Sequence, residues 1–161
     1  MNIPMSKETT ASFTGHRHYD FSNRETIRSR LSSAILEAYG LGYRNFISGF
    51  AVGIDMLAAE VVVSLKDSHP DIRLIAAIPF DGQAARFSVF DKRRYDRLMA
   101  KADDVIVLSE HYFTRCFLER DEFMVNNSSR LIAYYDGREK GGTYYTVKKA
   151  REQNIHIVNV Y

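Results

Sequence analysis

Four short segments carry residue types suited to holding a phosphate-bearing ligand. In Thr14-Gly15-His16-Arg17, glycine lets backbone approach a ligand closely and the planar fork of Arg17 matches phosphate or carboxylate. His16 is of the type that can act as an acid or a base, and a hydrogen-bonding role is its commoner use. In Ser48-Gly49-Phe50-Ala51-Val52-Gly53-Ile54-Asp55 a glycine-rich turn opens an apolar run, so free amides and a helix dipole would favour an anion. Asp55 in that first turn either complements the dipole or accepts from a ligand hydroxyl, since a carboxylate repels phosphate. The third segment, Ile78-Pro79-Phe80-Asp81-Gly82-Gln83, offers Phe80 as a face for a base or as core. The fourth, Asp136 to Thr143, ends in Gly141-Gly142-Thr143, with Thr143 able to cap a helix or donate to an anion.

The elements that must position these segments alternate along the chain. Strands are expected at 10–14, 45–48, 72–78, 105–108, 131–135 and 156–160. Helices are expected at 22–40, 54–66, 87–101, 114–127 and 143–152. Ser22 and Glu25 read as a capping box, Thr114 and Thr143 as caps, and Gly40 with Gly42 as a stop. Ile27, Leu31, Ala34, Ile35 and Ala38 recur at helical spacing, and the 54–66 helix is apolar on nearly every side and so largely buried. The unbroken apolar run Leu74 to Ile78 suits a strand covered on both faces. This order implies an α/β fold of about six mostly parallel strands with helices on both faces. Seven of the nine glycines fall in the strand-to-helix loops, which all leave one edge of such a sheet, the edge where ligands bind.

Composition bounds the function. With 161 residues, one domain over 1–161 is expected, with 1–8 as a loose N-terminal segment. A net charge of +2 gives no electrostatic case for nucleic acid, and Lys92-Arg93-Arg94 with Arg97 reads as a solvated helix face. No stretch is long and apolar enough to span a membrane, the start carries no secretory pattern, and the single Cys116 suits a reducing compartment, so a cytoplasmic location is expected. The His residues are scattered without metal-ligand spacing, Cys116 reads as a small core residue, and neither a nucleophile elbow nor a Walker loop occurs. Glu119, Arg120 and Asp121 either face the pocket or pair on a helix surface.

Taken in order, TGHR at Thr14 to Arg17, SGFAVGID, IPF at Ile78 to Phe80, Gln83, CF at Cys116–Phe117, RDEFMV at Arg120 to Val125, and YDG followed by GGT at Tyr135 to Thr143 resemble the SLOG superfamily and its YpsA-like family. The resemblance covers essentially the whole chain. It implies a Rossmann-like three-layer sandwich that binds a nucleotide or nucleotide-derived ligand, ADP-ribose-like in character. Superfamily relatives include DprA, which binds single-stranded DNA, and the LOG phosphoribohydrolases, which cleave a base from a nucleotide. The LOG signature PGGxGTxxE is not matched: Lys140-Gly141-Gly142-Thr143 runs on to Thr146 and Val147 where a carboxylate would stand.

The expectation is therefore a nucleotide-binding or nucleotide-sensing domain, with a LOG-like hydrolase or transferase second and DprA-like nucleic-acid binding third. Thr14, Gly15, His16, Arg17, Ser48, Gly49, Gly53, Asp55, Pro79, Phe80, Gln83, Gly141, Gly142 and Thr143 are the expected ligand-binding residues. No catalytic residue, metal or required cofactor is assigned. The expected partner is a nucleotide-like small molecule, with nucleic acid less favoured, a membrane excluded and a homo-oligomer left open.

Overall fold

The computed structural model describes residues 5–161. Residues 1–4 of the segment expected to be loose lie outside the described residues, and a 3-10 turn at Lys7–Thr9 leads directly into the first strand. The strands are β1 (Thr10–Gly15), β2 (Asn45–Ser48), β3 (Arg73–Ile78), β4 (Asp104–Val107), β5 (Arg130–Tyr134) and β6 (His156–Asn159). The helices are α1 (Arg24–Gly40), α2 (Ile54–Leu65), α3 (Val89–Lys101), α4 (Cys116–Asn126) and α5 (Gly142–Glu152). The six strands form one sheet in the order β4-β3-β2-β1-β5-β6, and every neighbouring pair is parallel. Among the described residues no helix is long and apolar enough to cross a membrane.

Alternation along the strands builds three layers, because successive side chains point to opposite faces. Phe46, Leu74, Ala76, Ile78 and Ile132 join one core with residues of α1, α2 and α3. Ile47, Ile75 and Ala77 pack with Met124 of α4, while Leu131 and Ala133 pack with Val147 and Ala150 of α5. The apolar run of β3 is thus buried on both sides, as its composition predicts. The buried α1 residues are Ile27, Leu31, Ala34, Ile35 and Ala38, the five at helical spacing. Ser12, buried inside the sheet, is hydrogen-bonded: its hydroxyl donates to the Met124 carbonyl (3.0 Å) at the end of α4 and also pairs with the Ser128 hydroxyl.

Three expected caps are not made. Asp20 accepts from the Ser22 amide (3.0 Å) and hydroxyl (2.8 Å), capping a 3-10 turn at Phe21–Asn23. Asp20 thus caps this turn in place of Ser22, and α1 begins at Arg24, with Asn23 at its N-cap position. Thr114 precedes α4 without capping it; Arg115 holds that position, with no side-chain cap. Gly141 rather than Thr143 stands at the start of α5, with φ +93°, a conformation that a β-branched threonine resists. A 3-10 turn at Gln83–Arg86, not anticipated from periodicity, follows Gly82 in the left-handed region.

Candidate functional site

Chain direction across the sheet reverses between β1 and β5, whose pairing ends at Gly15 opposite Tyr134. A crevice outside the carboxyl ends of two such strands is the usual ligand position in open parallel sheets. Here it is a cleft of about 450 Å³. Thr14, Gly15, His16 and Arg17 line it from the β1 loop, and Asp55 lines it from α2. Lys140, Gly141, Gly142 and Thr143 form the opposite side, and Phe117, Arg120 and Asp121 of α4 close it.

The α5 side presents backbone donors to the cleft. The first amide to bond back within this segment is Tyr145 N–H, to the Gly141 carbonyl (3.1 Å). The amides of Gly142, Thr143 and Tyr144 therefore have no helical acceptor, and no side chain caps them. A Cβ on Gly141 would meet nothing within 4 Å, while one on Gly142 would lie 3.9 Å from the Asp121 carboxylate. Lys140 is exposed beside it, and Arg17 is exposed on the facing loop.

The α2 start differs from the expectation of a second anion site. Ile54 N–H donates to the His16 carbonyl (3.2 Å) and Met56 N–H to the Ala51 carbonyl (3.2 Å). These bonds take the Ile54 and Met56 amides, and the buried Asp55 carboxylate stands in the first turn of α2.

The glycines of this region serve the protein's own packing. A Cβ on Gly15 would press on the Ile54 side chain at 2.5 Å, and one on Gly49 would meet the Arg120 guanidinium at 2.5 Å. A Cβ on Gly53 would collide with the Arg17 backbone carbonyl. Gly53 also has φ +95°. The β1 and β2 loops thus interlock, which fixes the backbone that carries Arg17.

Arg120, left open between pocket and surface by the sequence, is buried and organises the floor. Its Nη1 donates to the Gly49 carbonyl (2.7 Å), and its Nε donates to Asp121 Oδ1 (2.9 Å). Gln83 completes the brace, donating to the carbonyls of Gly49 (3.2 Å) and Phe50 (3.0 Å). Burial pushes the Asp55 carboxyl up to about 6, with the Arg120 charge opposing the shift. Burial also raises Asp121, again against Arg120. Glu119 is exposed and lines neither cleft. His16 Nε2 lies 3.1 Å from the Asp136 amide nitrogen and 3.4 Å from Asp136 Oδ1, which fastens the β1 loop to the segment after β5. Cys116 is buried outside the lining, as a core residue.

Beyond Arg17 lies a larger chamber of about 810 Å³, lined by Phe80, Gln83, Phe87 and Tyr112 among others. Arg17, Ala51 and Phe117 line both spaces, and the Arg17 guanidinium sits 5.3 Å over the Phe117 ring. Ser48, Gly49, Gly53 and Pro79 line neither; all four are buried behind the wall. Ser48 is spent on the loop itself, its hydroxyl donating to the Asp55 carbonyl (2.8 Å) and accepting from the Phe50 amide (3.2 Å). Arg120 and Asp121 carried no strong sequence signal, because an adjacent Arg-Asp pair on a helix is ordinary on any surface.

Comparison with known proteins agrees with this architecture. A UPF0398 protein of Shouchella clausii is 31% identical over 131 residues, which are 80% of this chain and 68% of its own. The uncharacterized SPbeta prophage-derived protein YoqJ of Bacillus subtilis is 32% identical over 108 residues, 60% of this chain and 63% of its own. Among solved structures, DNA processing protein A (DprA) from Streptococcus pneumoniae matches with a TM-score of 0.66 at 19% identity, over 94% of this chain and 50% of its own. DprA from Helicobacter pylori, solved for its single-stranded DNA binding mode, matches with a TM-score of 0.62 at 16% identity, over 92% of this chain and 63% of its own. The chain thus spans half of the first DprA and less than two thirds of the second and of YoqJ. The YpsA family model, described as the YspA SLOG family, matches residues 11–160, and the chain belongs to that family.

Proposed function

We propose that this member of the YspA SLOG family binds a nucleotide or nucleotide-derived ligand, of the ADP-ribose type, at the carboxyl edge of its sheet. The carrying observation is the uncapped N-terminus of α5, open in front of Gly141 and faced across the cleft by Arg17. Aligned amides and a helix dipole attract a phosphate. Arg17 adds the formal charge that amides lack. Asp55 and Asp121 at the floor suit hydroxyl groups, as in a ribose, rather than a second phosphate.

The test is calorimetric titration with ADP and ADP-ribose, with product analysis after long incubation. Arg17→Ala removes a charge-assisted hydrogen bond, of which a typical one contributes about 1.5–3 kcal/mol, so affinity should fall roughly tenfold to hundredfold. Because Arg17 is exposed, the melting temperature should hold. Equal affinity in the variant sinks the reading. Release of base or phosphate would turn binding into hydrolysis, and a steep loss of affinity for single-stranded DNA with salt would favour the DprA-like alternative.

A further inference from the structure

We infer that the larger chamber beyond Arg17 is the ring subsite of the same ligand, taking a nucleobase against an aromatic wall while the phosphate stays at α5. This rests on the phosphate reading above. The two spaces adjoin through Arg17, Ala51 and Phe117, so one molecule can occupy both. A volume of about 810 Å³ is far more than a phosphate fills and lies within the roughly 300–1,000 Å³ of small-molecule pockets.

The wall is aromatic on three elements. The Phe80 ring meets Tyr112 at 5.6 Å and Phe117 at 6.1 Å, both edge to face, and Tyr112 is 63% exposed. An edge-to-face cluster leaves ring faces uncovered, and a flat base stacks on such faces. Exposed aromatic surface of this kind is unfavourable in water unless something covers it. The Arg17 guanidinium, planar and 5.3 Å over Phe117, already stands where a cation bridges ring and phosphate.

The polar inventory of the chamber fits a base rather than an aliphatic chain. Gln83 is committed to the Gly49 and Phe50 carbonyls, and Ser88 to Asp91. Arg86 and His18, also in the lining, make no hydrogen bond or ion pair among the described residues. Their donors are available to the acceptor edge of a base.

The experiment titrates the full chain with inorganic pyrophosphate and with ADP, GDP and UDP. Wild type should bind at least one nucleoside diphosphate more tightly than pyrophosphate. Tyr112→Ala, at an exposed position that the fold does not need, should lose roughly five- to tenfold in nucleotide affinity and nothing for pyrophosphate. Tyr112→Phe keeps the ring and should restore binding, whereas Arg17→Ala should weaken both ligands. If no nucleotide outbinds pyrophosphate, or if Tyr112→Ala binds nucleotide like wild type, the ring subsite is wrong and the phosphate site stands. If neither pyrophosphate nor any nucleotide binds, both readings fall.

Discussion

Replacing Asp55 by Asn should stabilise the protein near pH 8 and lose that benefit in acid. Asp55 is 8% exposed at the cleft floor, and burial raises its carboxyl from 3.8 to about 6 despite the Arg120 guanidinium. A gap of about two pH units at 1.36 kcal/mol each makes the ionised carboxylate cost the fold about 3 kcal/mol. Below 3.8 the group is protonated in both folded and unfolded chains and the cost is absent. Between 3.8 and about 6 the folded chain holds the proton more tightly, so stability declines as pH rises. Above about 6 both forms are ionised and the full cost is present. Asparagine is neutral throughout and nearly the same shape. Urea unfolding midpoints of both proteins between pH 4 and 8 are the assay. The advantage of Asp55→Asn should grow across the window and level off at up to about 3 kcal/mol. Parallel pH curves, or a less stable variant at pH 8, would refute the argument that desolvation dominates at this site.

Arg120→Met removes the shorter of the two hydrogen bonds to the Gly49 carbonyl, leaving that from Gln83, and takes away the cation beside Asp55 and Asp121; a loss of about 3–5 kcal/mol in chemical denaturation is expected. An unchanged midpoint would show that water repairs the floor. Gly53→Ala adds a Cβ into the Arg17 carbonyl at φ +95°, and should cost at least the roughly 1–3 kcal/mol of such backbone strain while also weakening nucleotide binding. Gly82→Ala, at φ +91° but in open space, is the control and should cost only the strain. Equal melting temperatures for these two variants would deny the interlocking of the β1 and β2 loops.

The elements were legible because strands and helices here follow their periods closely. The apolar positions of α1 and the two-faced burial of β3 match the sequence pattern residue for residue. Strand order was not legible, since βα connectivity leaves open on which side of β1 the fifth strand is added. The Ser22 cap failed because Asp20, two residues earlier, is the stronger acceptor. The clustering of glycine in the strand-to-helix loops pointed to the edge of the sheet where the cleft lies. It did not separate Gly141, which faces open space, from Gly49 and Gly53, which yield to neighbouring side chain and backbone. Tertiary approach decides that distinction, and no local pattern encodes it. The central part played by Arg120 was equally hidden, because its partners lie on β2 and β3 loops far from it in the chain.

The reversal of strand order at β1 also sets a schedule for folding. From β1 to β4 each strand is laid beside its predecessor, so four of the six strands can assemble as the chain leaves the ribosome. The other edge of β1 must wait for β5, where Ala11 meets Arg130. Until then a central strand has an unpaired edge, which is a template for association with other chains. The cleft straddles that late seam, with Arg17 on the early half and the amides of α5 on the late one. A ligand gripping both recognises only the finished sheet. By mass action such a ligand would hold the β1–β5 seam closed once it has formed, and so keep that edge of β1 from reopening.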